Sequence, residues 1–151
     1  MRGPRIVGLE ARHRADLVAL WQEEAAFRHL GGPRTRAQAE SRVETLLGSA
    51  QEESYVIEGP EGQLLGIGTI GPHHDRPERE VSYIIHPAHW RQGHGRRLLE
   101  GLMARGGPPL VAETRRANLA SSGLLRSVGF LQSAIYPRFG AQQALYLWEG
   151  P

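Results

Sequence analysis

The sequence predicts a mixed α+β fold in a single domain that spans residues 1–151. The hydrophobic pattern changes period along the chain, because helix-like spacing gives way to short strand-like runs and later returns. Hairpins and crossover helices alternate, which favours a mixed α/β arrangement over a doubly wound sheet. The 19 glycines and 10 prolines supply turns but do not cluster into a linker, so we expect one domain.

The first half predicts a strand, two helices and a hairpin. "RIVGLE" is strand-like, and a helix follows whose apolar positions are Leu17, Leu20, Trp21 and Ala25. "LGGPRT" interrupts it, and Thr35 then caps a second helix, with Gln38 completing a capping box. The buried stripe of that helix is Ala39, Val43, Leu46 and Leu47. "SYVIEG" and "LLGIGTI" flank the turn "GPEGQ", which predicts a hairpin.

The second half predicts four strands and two helices. "EVSYIIH" is a strand that follows the polar loop "GPHHDRPER". The next helix has an apolar face of Leu98, Leu99, Leu102 and Met103. "PPLVAET" predicts a strand, and "NLASSGLLRSV" a helix that ends at Gly129. "FLQSAIY" and "QALYLWE" are the last two strands.

Composition and charge exclude several classes of function. The chain has no cysteine, which excludes disulfides, thiolate catalysis and cysteine-based zinc sites. All 18 basic residues are arginine, so a catalytic lysine is excluded, and they are interleaved with acidic residues along a chain of net charge +2, which argues against nucleic-acid binding. There is no signal-peptide pattern and no run of about 20 apolar residues. We therefore expect a cytoplasmic protein with no membrane or nucleic-acid partner.

The segment "HPAHWRQGHGRRLL", residues 86–99, connects a predicted strand to a predicted helix through a glycine-rich turn. Free N–H groups at a helix N-terminus suit an anionic group such as a phosphate. Gly93 and Gly95 would let the backbone approach it closely. An ordinary strand-to-helix turn would carry the same pattern. The chain lacks both the P-loop and the Rossmann fingerprints.

Two longer segments carry a family resemblance. "EVSYIIHPAHWRQGHGRRLLEGL" resembles motif A of the GNAT superfamily of acyl-CoA-dependent N-acyltransferases, although Trp90 stands where the general motif has Arg or Gln. "AETRRANLASSGLLRSVGF" resembles motif B of the same superfamily. Both are similar to the branch that contains the ribosomal-protein N-terminal acetyltransferases. The resemblance implies a splayed, mostly antiparallel sheet of six to seven strands flanked by about four helices.

The same resemblance implies acetyl-CoA as cofactor and assigns residues to it. The turn would hold the pyrophosphate through Arg91, Gln92, Gly93, His94, Gly95 and Arg96. Backbone N–H groups of the preceding strand would pair with the pantetheine arm and polarise the acetyl carbonyl, at Ile84, Ile85 and His86. Asn118 would cap its helix and bind the pantetheine arm, with Ser121 beside it.

Catalysis in this family needs a base for the amine and a proton for the leaving thiolate. Glu80 is at the position of the usual general base, and a solvated glutamate at a strand end is the other interpretation of this residue. Glu78, His73 and His74 are fallback bases. The tyrosine acid of many members is replaced by Leu125, so the resemblance implies Ser121 as the catalytic partner of the thiolate, with Tyr136 as an outside candidate.

The resulting hypothesis is a direct acetyl transfer to a primary amine, on a protein N-terminus or a small molecule. A CoA-binding GNAT module without turnover is the alternative. Glu23 and Glu24 are candidates for an acidic acceptor wall or simply the polar face of a helix. Loop histidines such as His86 and His89 are more often solvent-facing than metal-bound, so we expect no metal site. The resemblance also allows a homodimer; the acceptor and the acyl-chain preference stay open.

Overall fold

A computed structural model of the chain describes residues 3–151, which form one mixed sheet with helices on both faces. The strands are β1 (Arg5–Gly8), β2 (Glu53–Glu58), β3 (Leu64–Pro72), β4 (Arg79–Ile85), β5 (Leu110–Arg115), β6 (Leu131–Arg138) and β7 (Ala141–Trp148). The helices are α1 (Arg14–Trp21), α2 (Arg36–Gly48), α3 (His94–Gly106) and α4 (Leu119–Ser127). The predicted fold class, with seven strands and four helices, is confirmed.

The seven strands follow the order β1-β2-β3-β4-β5-β7-β6. Neighbouring strands are antiparallel except β4 and β5, which are parallel. A parallel pair needs a crossover, and α3 supplies it. The sheet therefore has one parallel junction near its middle.

Two apolar clusters hold the helices against opposite faces of the sheet. Leu17 of α1 and Val43 of α2 pack with Ile67 of β3 on one face. Leu98 of α3 and Leu125 of α4 pack with Val81 of β4 on the other. Burial of each apolar side chain contributes about 1.5–3 kcal/mol to folding. These clusters fix which strand residues face which pair of helices.

Local signals in the sequence act as predicted at two helix ends. Thr35 Oγ1 accepts from the N–H of Gln38, and Gln38 Oε1 accepts from the N–H of Thr35, at 3.2 and 2.9 Å. Gly129 follows α4 with a φ of +107°. The predicted extension of the first helix to Ala25 is wrong. α1 ends at Trp21, and a short 3-10 turn at Ala25–Phe27 follows it.

Within the described range, no helix is long and apolar enough to cross a membrane.

Candidate active site

The parallel junction between β4 and β5 is paired only at its beginning. Arg79 lies opposite Leu110 and Glu80 opposite Val111, but no further pairs form although β4 runs to Ile85 and β5 to Arg115. The two strands therefore diverge, and a gap opens between them towards their carboxyl ends. Unpaired backbone groups on its edges are available to a ligand.

The side chains that border this gap pack against different helices on the two faces of the sheet, because successive residues of a strand point to opposite faces. Tyr83 and Ile85 pack with the α3 and α4 cluster, and Ile84 packs with the α1 and α2 cluster. Glu80 shares the face of Ile84. Glu113 shares it too, since it is two residues beyond Val111, the register partner of Glu80.

Glu80 is a partly buried carboxyl group at the closed end of the gap. Burial, and then repulsion from the Glu113 carboxylate, raises the pKa of Glu80 to about 7, while the positive charges of His74 and Arg138 act in the opposite direction. A carboxyl group with such a pKa exchanges its proton near neutral pH, as a general base requires. The candidate base from the sequence therefore lies in a suitable environment.

Glu113 is a partly buried acceptor for four donors. Its Oε1 accepts from Nε2 of His73 and Nε2 of His74, both at 3.0 Å, and from the Tyr136 hydroxyl. Its Oε2 accepts from Arg138 at 3.1 Å. Burial raises the pKa of Glu113, but the hydrogen bonds from Tyr136 and the two histidines outweigh it, so the pKa lies below its ordinary value. Glu113 is thus a fixed negative charge beside Glu80.

His73, His74 and Glu113 also bring three metal-ligand atoms within 4.8 Å of one another. His73 is buried, so the expectation that the loop histidines face solvent was wrong for this residue. Its Nδ1 accepts the N–H groups of Asp75 and Arg76, both at 3.1 Å, which leaves the proton on Nε2. A ligating histidine instead donates through its other nitrogen. The hydrogen bonds therefore indicate a donor to Glu113 and not a metal ligand.

Most of the other candidate groups from the sequence are paired with neighbouring side chains: the fallback base Glu78, the candidate acid Tyr136 and Glu23 of the possible acceptor wall. Glu78 pairs with Arg76 at 2.8 Å, and this hydrogen bond holds the pKa of Glu78 below its ordinary value. Tyr136 donates to Glu113, and burial followed by this hydrogen bond raises its pKa. Glu23 pairs with His86 at 3.3 Å at the mouth of the gap, whereas Glu24 is exposed.

The backbone of β4 offers only part of the predicted N–H set to the gap. The His86 N–H donates to Leu65 O at 2.8 Å, so it is not free for a ligand, which corrects the expectation for His86. N–H groups alternate in direction along an antiparallel strand, so that of Ile84 also faces β3. The Ile85 N–H faces the gap. Trp90 Nε1 donates to Ile85 O at 2.8 Å and places the indole at the mouth.

The turn before α3 has the properties of an anion site. Gly93 is the N-cap with a φ of +82°, and no side chain caps the helix. A Cβ at this residue would meet nothing within 4 Å, so the space above the turn is open. The first N–H groups of α3, from His94 to Arg96, are therefore free for a ligand. His94 Nδ1 is buried and has no hydrogen-bond partner among residues 3–151. A ligand that carries a hydrogen-bond donor beside its phosphates would supply that partner.

The side chains that were predicted to contact the pyrophosphate at this turn differ in how free they are to do so. Arg91 and Gln92 are exposed beside the turn, and Arg91 has a left-handed φ of +63°. Arg96 pairs with Glu100 of the same helix at 2.8 Å. Its side chain would have to leave that partner to contact a ligand, although its backbone N–H would not.

Asn118 and Ser121 meet at the start of α4. Asn118 Oδ1 accepts from the N–H of Ser121 at 3.2 Å, so the predicted helix cap is present. The Ser121 hydroxyl lies 2.9 Å from the Tyr83 hydroxyl on β4. Burial raises the pKa of Tyr83, and the Ser121 hydrogen bond lowers it to a smaller extent.

Sequence reasoning missed two residues of this site, Glu113 and Tyr83. Each has a weak signal in the sequence. Glu113 is a single carboxylate in the apolar strand "LVAET", and Tyr83 is a single hydroxyl-bearing aromatic between Ser82 and Ile84. Neither signal identifies a partner, because the partners are on other elements.

The family model described as the acetyltransferase (GNAT) domain matches residues 5–131. The chain is also similar to the N-acetyltransferase from Staphylococcus aureus Mu50, with 21% identity and a TM-score of 0.79 over 98% of this chain and 99% of that chain. No curated protein matches the sequence.

Two further solved structures are similar. One is yncA from Salmonella typhimurium with its cofactor acetyl-CoA, at 24% identity and a TM-score of 0.76 over 98% of this chain and 94% of that chain. The other is a spermidine N-acetyltransferase SpeG chimera from Vibrio cholerae and hSSAT, at 16% identity and a TM-score of 0.79 over 98% and 96%. At these identities the likenesses establish the fold.

Proposed function

We propose that this chain, which belongs to the GNAT acetyltransferase family, moves the acetyl group of acetyl-CoA directly to the nitrogen of a primary amine in a ternary complex. Acetyl transfer and the use of acetyl-CoA come with the family. The amine acceptor, the direct transfer and the roles of the residues below are the proposal.

The observation that carries the proposal is the Glu80 carboxyl group. It lies where β4 and β5 begin to diverge, on the face of the gap opposite α3 and α4. Its pKa of about 7 leaves a large fraction ionised at neutral pH and still able to hold a proton. A base in this position takes the proton of an attacking amine.

When bound, acetyl-CoA supplies a thioester, whose C–S bond breaks as the new C–N bond forms. The Ile85 N–H faces the gap and donates to the acetyl carbonyl oxygen as negative charge develops on it. Glu80 receives the proton that the amine nitrogen loses. The free N–H groups at the start of α3 hold the pyrophosphate away from the reacting atoms.

The leaving sulfur needs a proton, and the Tyr83–Ser121 pair is placed to supply it. Both hydroxyls lie on the α3 and α4 side of β4, across the strand from Glu80. A tyrosine is the stronger acid of the two, so Tyr83 donates the proton and Ser121 orients the Tyr83 hydroxyl. Ser121 alone was the candidate from the sequence.

The acceptor is a small-molecule amine or a protein N-terminus. The ribosomal-protein branch resemblance supports an N-terminus, whereas the spermidine N-acetyltransferase chimera acts on a small polyamine by its name. No structural observation favours the module without turnover, because that role needs neither a base of raised pKa nor an acid across the strand. A cytoplasmic location stays a prediction.

The experiment that tests the proposal is a thiol-release assay with acetyl-CoA against small amines and N-terminal peptides. We expect turnover with at least one amine, and a loss of about 100-fold or more in kcat for Glu80→Gln. Glu61→Gln, an exposed residue of the β2–β3 turn, is the matched control. Tight acetyl-CoA binding without thiol release in the whole panel would support the module without turnover instead.

Oligomerisation belongs to the same proposal, since the resemblance allows a homodimer. β6 is an edge strand, so one side of its backbone is unpaired in the described sheet. Leu131 and Phe139 at its two ends are each 73% exposed. These features support pairing of β6 with the same strand of a second copy.

A further inference from the structure

A basic pocket lies beyond the carboxyl end of β5 and has no role in the chemistry described above. Its volume is about 350 Å³, within the range of small-ligand sites. The lining residues come from the α1–α2 connection, the end of β5 and the β6–β7 turn: His29, Arg115, Arg116, Ala117, Ala141 and Gln142. The Arg116 N–H donates to Gln142 O at 2.9 Å, which joins the β6–β7 turn to β5.

The pocket lies towards the same end of the sheet as the proposed site of acetyl transfer. β4 and β5 are parallel with Arg79 opposite Leu110, so six residues further along both strands Ile85 comes level with Arg116. The pocket therefore lies beyond β5 at about the level where β4 ends, although no residue of β4 lines it. Arg115 also follows Glu113 by two residues on the same face of β5, about 7 Å further along the strand.

The α1–α2 connection spans the mouth of the gap. Near its start, Glu23 pairs with His86 just beyond β4, and six residues later His29 lines the pocket beyond β5. The connection thus covers the divergent ends of both strands on the Glu80 side of the sheet. An acceptor amine that approaches Glu80 from that side passes this pocket.

The positive charge of the pocket is not compensated within the protein. In residues 3–151 neither Arg115 nor Arg116 makes an ion pair, although nine other arginines do. The nearest carboxylate on β5, Glu113, is already paired with Arg138. Guanidinium groups bind carboxylates and phosphonates through paired N–H donors. Arg115 is partly buried and Arg116 is exposed, so Arg115 is the guanidinium that an anionic ligand in this open pocket would meet.

We propose that this pocket binds an anionic group of the acetyl acceptor, so that the acceptor is a small primary amine that also carries a carboxylate or phosphonate. The inference rests on the proposed function, because it assumes that the amine enters on the Glu80 face. The acceptor is then an amino acid or a molecule of similar size and charge. A neutral or polycationic amine would leave Arg115 without a partner.

The phosphates of CoA are the competing anions for this pocket. They are assigned to the turn before α3, on the side of the sheet where α3 and α4 pack. Arg115 has the strand parity of Glu113 and faces away from that side, whereas Arg116, the next residue, has the opposite parity. The acceptor therefore accounts for the pocket better than the cofactor does.

The test uses steady-state kinetics with matched acceptors: L-amino acids, their carboxamides, and 2-aminoethylphosphonate beside ethanolamine. We expect the anionic member of at least one pair to have a KM at least 10-fold lower. Arg115→Gln should raise that KM about 10-fold or more, and Arg116→Gln, which changes an exposed side chain of opposite strand parity, should raise it less. Both variants should leave the KM of acetyl-CoA and of the uncharged acceptors within twofold, as should the control Arg36→Gln on α2.

Three results would overturn the inference. The first is a preference of the wild type for uncharged amines or N-terminal peptides. The second is a rise in the KM of acetyl-CoA in the arginine variants, which would assign the pocket to the cofactor. The third comes from calorimetric titration of the same amino acids and 2-aminoethylphosphonate, which needs no turnover. Binding lost in Arg115→Gln supports the pocket even if no amine is acetylated, and no binding of any anion overturns it.

Discussion

The hydroxyl groups of Tyr83 and Ser121 lie 2.9 Å apart, and this hydrogen bond joins the middle of β4 to the first turn of α4. The contact crosses from the strand that borders the gap to the helix behind it. It also explains how a chain with Leu125 at the family's usual tyrosine position can still place a tyrosine hydroxyl beside the gap.

Replacing Tyr83 tests this pair. We expect Tyr83→Phe to lower kcat by about 10- to 100-fold, because the thiolate then leaves without a positioned proton donor. Ser121→Ala should have a smaller effect, since the Tyr83 hydroxyl remains and the N–H of residue 121 can still donate to Asn118. KM for acetyl-CoA should change little in either variant. An unchanged kcat for Tyr83→Phe would remove Tyr83 from the mechanism.

The pH dependence of the rate should show the coupling of Glu80 to Glu113. Glu80 acts as a base only when it is ionised, so kcat/KM should fall as the pH drops below about 7. In Glu113→Gln the repulsion is lost while His74 and Arg138 remain, so the pKa of Glu80 falls and the acid limb moves to lower pH.

The control for this shift is Tyr136→Phe, which removes one donor but leaves the charge of Glu113. Its acid limb should stay close to that of the wild type. If Glu113 had a purely structural role, Glu113→Gln would lower the rate at every pH without moving the acid limb, and that result would contradict the coupling.

Glu80 should also lower the stability of the fold at alkaline pH. Its folded pKa of about 7 lies above the ordinary value of 4.5, so the folded state binds the proton more tightly than the unfolded chain does. The stability from this proton is complete below about pH 4.5 and is lost as the pH rises through 7. The change in the free energy of unfolding that Glu80→Gln causes should therefore be about 1–3 kcal/mol more stabilising at pH 8 than at pH 4. Urea unfolding at the two pH values measures this difference, and an equal effect at both would contradict it.

The role of the turn before α3 can be tested by comparing two substitutions of Gly93 whose side chains, Asp and Asn, have nearly the same size and shape. Gly93 has a φ of +82° in open space, a conformation that Asn and Asp tolerate better than most residues. Gly93→Asp should raise the KM for acetyl-CoA at least 10-fold, because its carboxylate repels the pyrophosphate. Gly93→Asn should raise it much less. Equal values for the two variants would show that no phosphate lies on this turn.

Self-association through β6 predicts a change in sedimentation. The wild type should sediment as a dimer at micromolar concentration, and Leu131→Glu should shift it towards the monomer by placing a charge on the edge strand. Gln51→Glu, which places the same charge on an exposed residue before β2 near the opposite edge of the sheet, should leave the dimer intact. A wild type that is monomeric at all concentrations would argue against the homodimer.

Much of the fold was predictable because its signals are local. The Thr35–Gln38 capping box and the apolar run of β3 each depend on residues close in the chain. The end of α1 at Trp21 was not predictable from helical spacing, since Ala25 continues that spacing but lies in a separate 3-10 turn. For the site, Glu80 and the Gly93 turn were found through motif spacing. Tyr83 and Glu113 were not, because their partners are 38 and 40 residues away.

The sequence by itself determined the mixed fold, the family resemblance, the candidate base and the glycine turn, because periodicity, capping and motif spacing depend on neighbouring residues. Only the tertiary structure decided which N–H groups face the gap, which hydroxyl meets Ser121, and that Arg115 and Arg116 share a pocket with His29. The physical reason is that these contacts join segments far apart in the chain, which come together only through strand pairing and the packing of α1 and α2 on one face and of α3 and α4 on the other.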